Sequence, residues 1–435
     1  MKFYSTKKSS QEVSFKEAVI KGIADDGGLF MPASFPVLPK KFLDEIKNLS
    51  FQEICFEVAN AVIGDEIPFQ VLKSIINNAI NFDAPVIKLN NNIGILELFH
   101  GPTLAFKDFG ARFMAEVLSY FSKENKQNIT ILVATSGDTG SAVANGFLNS
   151  EGIKVFLLYP EGKVSHIQEM QLTTLKRNIT ALEINGTFDD CQKLVKQAFL
   201  DNELKEYLFL SSANSINIAR LIPQSFYYFN AYKQLKDKNK PLIFSVPSGN
   251  FGNLTGGLIA KKMGLPVQKF IAAVNSNDVF LNYLKTGKFV PKPSVKTISN
   301  AMDVGNPSNF YRILDIYNND WHKLITEISG SSFSDELTKT AIKKIRKEYN
   351  YLIDPHGAVG YLALDEYINK NKIESFNGII LETAHPAKFI DIMEDVLKEN
   401  IEIPERLANC LHQEKKSIKI SNKYTDFKSF LLNQN

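Results

Sequence analysis

Residues 128–160, NITILVATSGDTGSAVANGFLNSEGIKVFLLYP, contain the pattern from which the fold follows. The run NITILVA is rich in β-branched residues and stops at the small-residue loop TSGDTGS. AVANGFLNSEG then has helical spacing, and IKVFLLYP is a second apolar run. A strand, a helix and a second strand in this order predict a parallel sheet that is covered on both faces.

The same arrangement recurs twice further along the chain. PLIFSVP (241–247) stops at SGNFGNLTGG and continues into the helical LIAKKMG and the apolar KFIAAVN. NGIILET (377–383) runs into AHPAKFIDIMEDVLKEN, which has helical spacing. Because parallel α/β sheets bind ligands at the carboxyl ends of their strands, the three loops after these strands are expected to line one site.

The rest of the chain suggests three parts. Residues 1–95 are mostly helical in pattern and predict an N-terminal extension packed on the large domain. Residues 96–235 are assigned to a small α/β domain with the SGDTG loop, and residues 236–435 to a large α/β domain with the glycine loop. Within the large domain, residues 285–350 predict a polar loop followed by helices, and residues 415–435 remain unassigned.

Composition excludes several classes of protein. The chain has 435 residues, 44% hydrophobic and 22% charged, with a net charge of +3, which indicates neither disorder nor a nucleic-acid partner. No apolar run approaches the roughly 20 residues that span a bilayer, and the N-terminus lacks a signal-peptide core. The three cysteines are far apart in the sequence and do not have the spacing of metal ligands, which is typical of a protein in a reducing cytoplasm.

Lys107 is the strongest candidate for a chemical role. It lies in HGPTLAFKDFG (100–110), just before a helix whose apolar face comprises Phe109, Phe113, Val117 and Phe121, with Asp108 as a possible N-cap. A helix N-terminus and apolar neighbours lower the pKa of a lysine, and a neutral amine can form a Schiff base. The alternative is a surface lysine, which is much commoner for lysines in general.

Two loops are candidate anion sites. In SGNFGNLTGG, glycines 249, 252, 256 and 257 follow a strand and precede a helix, so backbone N–H groups can hold a phosphate; a plain tight turn is the alternative. The loop has neither a Walker A ending nor GxGxxG spacing. In TSGDTGS, Ser136 and Thr139 could hold a carboxylate, or could form an ordinary helix cap.

HGPTLAFKDFG, ATSGDTGSA, PSGNFGN and ETAHPAKF stand in the order and spacing of the threonine synthase family, and the sequence resembles that family over nearly its whole length. Its N-terminus resembles the long-chain branch. The resemblance implies an α/β fold of the fold type II, tryptophan synthase β-like class, with pyridoxal 5'-phosphate as cofactor. The six histidines form no metal-ligand pattern, and no metal is expected.

The resemblance also implies a cofactor site. Lys107 matches the lysine that binds the cofactor aldehyde. The cofactor-phosphate loop matches Gly249, Asn250, Phe251, Gly252 and Asn253. Thr383 matches the residue that forms a hydrogen bond with the pyridine nitrogen of the cofactor. Asp138 stands where cysteine-synthase-like relatives have an asparagine at the ring hydroxyl, although two like-charged oxygens would repel each other there.

For the substrate, the resemblance implies the SGDTG loop, with Ser136, Gly137 and Thr139, and the segment ANSINIAR (213–220) as a phosphate grip. Arg220 offers a bidentate fork, and Asn214 and Ser215 offer neutral donors. A helix cap with a surface ion pair is the alternative. Lys163 and Ser165 are weaker candidates, and His100 and His385 are expected to be hydrogen-bonded structural histidines.

The implied activity converts O-phospho-L-homoserine and water into L-threonine and phosphate, by a monomer or homodimer without nucleic-acid or membrane partners. Two alternatives remain. A serine or threonine dehydratase would share the lysine and the cofactor loop but would need no second phosphate pocket. A noncatalytic paralogue could keep the glycine loops and lose the lysine.

Overall fold

The computed structural model describes residues 1–125 and 128–434. The strands are β1 Phe3–Ser5, β2 Phe30–Pro32, β3 Val86–Lys88, β4 Ile93–Glu97, β5 Ile129–Ala134, β6 Ile153–Pro160, β7 Ile179–Asn185, β8 Leu210–Ser212, β9 Leu242–Pro247, β10 Val267–Val274, β11 Ile328–Ser332, β12 Asn377–Glu382 and β13 Ile418–Ser421.

The α-helices are α1 Phe15–Lys21, α2 Lys40–Glu45, α3 Phe51–Ile63, α4 Phe69–Ala79, α5 Lys107–Asn125, α6 Asp138–Gly146, α7 His166–Thr173, α8 Phe188–Leu200, α9 Asn202–Tyr207, α10 Ile218–Leu221, α11 Phe226–Lys233, α12 Gly252–Lys262, α13 Val279–Thr286, α14 Phe310–Ile316, α15 Trp321–Glu327, α16 Asp335–Tyr349, α17 Pro355–Asn371, α18 Ile390–Leu397, α19 Glu405–Leu411 and α20 Tyr424–Asn433. Short 3₁₀ helices span Ile46–Asn48, Gly64–Glu66, Ile222–Ser225, Asn300–Met302 and Pro386–Phe389.

Two separate parallel-containing sheets form the body of the molecule. One has six strands in the order β11-β10-β9-β12-β4-β3, all parallel except for the antiparallel pair β3–β4. The other has five parallel strands in the order β13-β7-β6-β5-β8. The predicted α/β class is confirmed. Strands β5 and β9 are buried along their whole length, which is why each is a continuous apolar run in the sequence.

The N-terminal extension is mostly helical, as predicted. It packs on α5, within the segment assigned to the small domain, and it also contacts the segment assigned to the large domain, where the Leu38 N–H donates to the Met263 carbonyl at 2.9 Å. The Phe15 ring lies 6.2 Å from that of Phe121, and the Phe51 ring lies 6.0 Å from that of Phe109. The capping box of α3, in which Ser50 and Glu53 bond reciprocally, fixes where that helix begins. The apolar face of α5 is therefore covered in part by the extension and in part by the segment around Phe226 and Tyr227.

Strand pairing links segments on either side of the expected domain boundaries. Strand β4 begins before residue 95 and pairs with β12 in the six-stranded sheet, which also receives β9 and β10. At the other end of the chain, β13 pairs with β7 in the five-stranded sheet. The chain thus enters the six-stranded sheet, builds most of the five-stranded sheet, returns to the first, and ends in the second. No helix within the described ranges is long and apolar enough to cross a membrane.

Candidate active site

Helix α5 begins at Lys107, and the loop before it is fixed to the end of β12. The Phe106 N–H donates to the Thr383 carbonyl at 2.9 Å, and the His385 N–H donates to the Leu104 carbonyl at 3.0 Å. These bonds pair the residue before Lys107 with Thr383. Two of the predicted cofactor residues, distant in sequence, are thereby held next to each other by backbone contacts.

The Lys107 amine is largely buried, with 16% of its side chain exposed. Its Nζ lies 5.5 Å from the centre of the Phe106 ring and donates to Asp138 Oδ2 at 3.4 Å. Burial lowers the pKa of Lys107; the Asp138 charge opposes this shift, and the cations of Lys388 and Arg220 add to it. This direction agrees with the prediction of an amine that loses its proton more easily than an ordinary lysine.

The prediction that Asp108 caps α5 is wrong. The helix begins one residue earlier, and the Asp108 N–H is already bonded to the Ala105 carbonyl. The Asp108 carboxylate instead accepts from the Thr103 N–H at 2.8 Å and the Thr103 hydroxyl at 2.6 Å. Burial raises the pKa of Asp108 to about 6, although these two bonds oppose the shift. Asp108 thus braces the Gly-Pro turn that precedes Lys107.

Asp138 lies between two lysines at the start of α6. Lys388 Nζ is 2.7 Å from Oδ1, Gln168 Nε2 donates to Oδ1 at 2.9 Å, and Lys107 is on Oδ2. Burial alone would raise the pKa of Asp138, but the Lys388 and Lys107 charges and the Lys388 and Gln168 hydrogen bonds hold it well below its usual range. The side chain is therefore a carboxylate, despite being only 4% exposed.

The rest of the SGDTG loop is organised by Thr135. Its hydroxyl accepts from the N–H groups of Gly137 at 3.0 Å and Gly140 at 2.8 Å. Gly137 has φ +143°, which favours glycine, and leads directly into α6. Ser136 is exposed and Thr139 is half-buried. The three predicted substrate residues of this loop therefore lie beside Asp138, on a loop whose shape is set by an internal bond.

The predicted phosphate loop joins β9 to α12. Phe251, with φ +58°, is the N-cap of α12, which begins at Gly252. The N–H groups at the start of a helix have no acceptor within it and favour an anion. At Gly249, an added Cβ would lie 2.8 Å from the Ala301 carbonyl oxygen and 2.8 Å from Met302 Cα. Glycine at this position lets the loop approach the 301–302 segment closely.

The two asparagine side chains of this loop have structural partners. Asn250 Oδ1 accepts from the Ser308 N–H at 2.7 Å, and its Nδ2 donates to Ser215 Oγ at 3.2 Å. Asn253 Nδ2 donates to the Pro247 carbonyl at 2.7 Å. Because both amides hold the loop in place, the groups that the loop can offer to a phosphate are its backbone N–H groups.

Arg220 is a buried cation, only 4% exposed. Nη1 donates to the Ala213 carbonyl at 2.5 Å, and Nε has no hydrogen-bond partner among the described residues. Burial lowers the pKa of Arg220 to about 10, and the Asp108 charge opposes this. An added Cβ at Gly110 would lie 2.9 Å from Arg220 Nε, so glycine in α5 makes room for the guanidinium. The predicted alternative of a surface ion pair does not fit this burial.

Asn214 and Ser215 connect Arg220's segment to both loops. Asn214 Nδ2 lies 3.4 Å from the carbonyl of Ala134, the last residue of β5, and Asn214 Oδ1 is buried without a partner in the described structure. Ser215 Oγ receives the bond from Asn250. The predicted substrate segment therefore contacts the end of β5 on one side and the phosphate loop on the other.

Four weaker candidates lie outside this group. Lys163 and Ser165 are exposed, and the Ser165 side chain caps α7. His100 Nε2 is 2.8 Å from Glu97 Oε2, and His385 caps the 3₁₀ helix that follows β12. Burial lowers the pKa of His385 to about 4. Both histidines are hydrogen-bonded within the protein, as expected.

Sequence reasoning missed Lys388, Gln168 and Thr135. All three are buried, and all three contact the SGDTG loop: Lys388 and Gln168 contact Asp138, and Thr135 accepts from the loop N–H groups. A lysine among the apolar residues of PAKFIDIM was the available signal for Lys388, since a lysine is rarely buried without a partner. Its partner, Asp138, follows a strand of the other sheet, so the sequence alone could not identify the pair.

Comparisons with known proteins match the whole described architecture. A model for "Threonine synthase N terminus" matches residues 2–80, one for "Pyridoxal-phosphate dependent enzyme" matches 83–380, and one for "Threonine synthase, C-terminal" matches 357–431. Among curated relatives, threonine synthase of Escherichia coli is 46% identical over 94% of each chain. That of Buchnera aphidicola subsp. Baizongia pistaciae is 44% identical over 99% of this chain and 100% of its own.

Solved structures agree with this result. Threonine synthase from Escherichia coli superposes with a TM-score of 0.92 at 43% identity and covers 100% of both chains. The pyridoxal-phosphate-bound enzyme from Brucella melitensis has a TM-score of 0.93 at 31% identity and covers 100% of this chain and 99% of its own. A threonine deaminase from Solanum lycopersicum, at 16% identity and a TM-score of 0.59, shares the fold alone.

Proposed function

Because the chain belongs to the threonine synthase family, we propose that the cluster around Lys107 is the active site of that reaction. The activity is that of a pyridoxal-phosphate-dependent carbon–oxygen lyase. O-Phospho-L-homoserine and water are converted into L-threonine and phosphate. The observation that carries the proposal is a buried amine with a lowered pKa, fixed beside Thr383 and facing Asp138.

The described residues fit the cofactor. Its phosphate would be held by the backbone N–H groups of residues 249–253, at the start of α12, in a loop that Gly249 allows to pack closely against residues 301 and 302. The Thr383 hydroxyl has no partner among the described residues, so it is available to a ring nitrogen. A hydroxyl there, unlike a carboxylate, would leave that nitrogen largely unprotonated. When bound, pyridoxal phosphate supplies an electron sink for charge that develops at substrate carbons.

Asp138 is the proposed neighbour of the ring hydroxyl. The repulsion between like-charged oxygens, expected from the sequence, is offset because Lys388 is 2.7 Å from this carboxylate. The carboxylate also accepts from Gln168, so its position is fixed by two side chains. It can therefore stand where relatives carry a neutral amide.

The phosphate of the substrate is assigned to the segment 213–220, which contains Arg220. Arg220 is a buried cation that forms no ion pair within the described residues, which is costly unless an anion binds there. Asn214 and Ser215 lie between it and the two loops. The carboxylate of the substrate is assigned to Ser136, Gly137 and Thr139, whose loop begins a helix.

Lys107 is the proposed general base and acid. A neutral amine can take a proton from the substrate's α carbon, and the ammonium so formed can return it at a neighbouring carbon. One flexible lysine can serve adjacent carbons because they lie within a bond length or two of each other. Burial of the amine limits the access of bulk water during these transfers.

A serine or threonine dehydratase is the second candidate. It shares the fold and would share Lys107 and the cofactor loop. Such an enzyme has no phosphate on its substrate, and a buried arginine without an acidic partner would serve no purpose in it. The Arg220 environment therefore favours the phosphorylated substrate.

The test is turnover of O-phospho-L-homoserine by the wild type and by Lys107→Ala, with threonine and phosphate both measured. The expected results are equal amounts of the two products from the wild type and a loss of at least a thousandfold in the variant. Lys285→Ala, which removes an exposed lysine in the last turn of α13, is the matched control and should retain full turnover. Borohydride treatment should attach the cofactor to Lys107. Keto acid from threonine without phosphate release would favour the dehydratase.

Location and assembly are proposed from the sequence. A reducing cytoplasm is supported by three free cysteines, of which Cys55 and Cys191 are buried. A monomer or homodimer is proposed, because the site described above is built from residues of one chain. Light scattering of the purified protein would test this, and a larger assembly would contradict it.

A further inference from the structure

Lys388 is a fully buried lysine to which the proposed reaction assigns no step. Its side chain is 0% exposed, and it lies in the 3₁₀ helix after β12. Its Nζ donates to the Thr103 carbonyl at 3.0 Å and lies 2.7 Å from Asp138 Oδ1. Burying an ammonium group is unfavourable unless a partner compensates, so this position calls for an explanation beyond packing.

The geometry gives Asp138 two amines of unequal distance. Lys388 approaches Oδ1 at 2.7 Å, whereas Lys107 approaches Oδ2 at 3.4 Å. Since Coulomb attraction falls with distance, Lys388 is the principal counter-ion of the carboxylate. Lys107 is left with the longer and weaker contact.

Without Lys388, the charges around Lys107 would be balanced differently. The groups whose charges act on Lys107 are Asp138, which favours its ammonium form, and Lys388 and Arg220, which disfavour it. An unneutralised Asp138 would hold Lys107 as an ammonium, and an ammonium is no nucleophile. The same carboxylate would also repel an anionic ring oxygen.

We propose that Lys388 is a positioning residue for Lys107: it neutralises Asp138 and so allows the reactive amine to deprotonate beside a carboxylate. The inference deepens the proposed function and rests on Lys107 being the reactive amine. Lys388 also holds the loop that contains Thr103, ahead of α5, close to the SGDTG loop. The fixed loops and the neutral pair together define the surroundings of Lys107.

The experiment measures the proton affinity of Lys107 in the full chain after removal of the cofactor. Acetylation of Lys107 is followed by mass spectrometry from neutral to alkaline pH, with exposed Lys163 as the internal reference. In Lys388→Met the midpoint for Lys107 should rise by about one pH unit or more, which lowers labelling about tenfold at a fixed pH below both midpoints. Lys388→Arg keeps the charge and should retain the wild-type midpoint.

A second pair of variants keeps the test decisive if Lys388→Met does not fold. Asp138→Asn leaves Lys388 facing Lys107 with no intervening carboxylate, whereas the double variant Asp138→Asn with Lys388→Met removes both charges. The midpoint should be lower in the single variant than in the double variant. An unshifted midpoint in Lys388→Met would overturn the proposal. So would a midpoint in the double variant that lies more than about one pH unit above that of the wild type, because removing a neutral pair leaves no unbalanced carboxylate beside Lys107.

Failure of the proposed function and failure of this inference give different results. Failure of that function would appear as cofactor attached by borohydride to a lysine other than Lys107. Failure of the inference about Lys388 would appear as a pH midpoint for Lys107 acetylation that does not change when residue 388 is replaced, although borohydride attaches the cofactor to Lys107 in the holoenzyme.

Discussion

Replacing Arg220 by alanine should weaken the use of O-phospho-L-homoserine far more than it weakens the fold. Arg220 is 4% exposed, its guanidinium has no acidic partner in the described structure, and its Nε has no acceptor. Its one internal bond, from Nη1 to the Ala213 carbonyl, is lost in the variant. That loss is offset because a costly buried cation disappears with it.

The expected fall in kcat/KM follows from the N–H donors of Arg220 that make no hydrogen bond within the protein. A hydrogen bond to a charged group contributes about 1.5–3 kcal/mol net, so a two-point contact with phosphate should contribute about 3 kcal/mol or more. At about 1.4 kcal/mol for each factor of ten, kcat/KM should fall about 150-fold. Arg220→Lys keeps a charge but loses the planar fork, and should fall in between.

The assay is phosphate release at several substrate concentrations, together with thermal unfolding with and without inorganic phosphate. Phosphate should raise the melting temperature of the wild type but not of Arg220→Ala. Arg346→Ala is the control, because Arg346 pairs with Glu399 on the surface and its loss changes net charge equally. A kcat/KM for Arg220→Ala within threefold of the wild type would refute the assignment of Arg220 to the substrate phosphate.

Three further variants test the glycine loop after β9 and the packing around the end of β12. Gly249→Ala places a Cβ 2.8 Å from neighbouring backbone atoms, so the cofactor loop must shift, and titration by absorbance should show at least about tenfold weaker cofactor binding. Because burial lowers the pKa of His385 to about 4, below its unfolded value of about 6.5, the unfolded chain binds the proton more readily and stability should fall as pH drops through that window. His385→Asn can still accept from the Ala387 N–H without titrating; chemical denaturation between pH 7 and pH 4 should show about 2–3 kcal/mol less loss, and an unchanged slope would contradict this. Gly357→Ala would set a Cβ 1.6 Å from Oε2 of the buried Glu382 and should therefore destabilise the protein by about 2–3 kcal/mol. Calorimetry would measure this as a lower melting temperature, and an unchanged melting temperature would contradict the prediction.

The strands that could be predicted from the sequence are the buried ones, because a buried strand appears as a continuous run of apolar residues. IKVFLLYP was expected as a strand and is β6, because seven of its eight residues are buried. Strand β11, ISGSS, was missed because it is an edge strand in which Ile328 alone is fully buried and the other four residues are small. Its pairing with β10 depends on backbone hydrogen bonds. Strand β13, IKIS, is exposed or half-buried along its length and likewise carries no apolar run.

The predicted site divides in the same way. Lys107 and the glycine loop after β9 could be predicted as candidates because glycines at a strand end and a lysine before an apolar helix are local patterns. The side chains that fix these groups were not found, because their contacts join loops from different sheets. Lys388 on Asp138 is the clearest case, and the N-cap assigned to Asp108 failed because the Thr103 contact could not be foreseen.

The pairing of β13 with β7 has a consequence for synthesis of the protein. Strand β7 ends at residue 185, and its outer neighbour begins at residue 418. A ribosome that adds about 5–20 residues per second needs roughly 12 to 46 seconds to make the intervening segment. For that time the nascent chain carries a β7 edge without its final neighbour, and an open edge can pair with other chains. Expression at a slow translation rate should therefore increase the fraction that aggregates, and chaperones that shield exposed edges should reduce it.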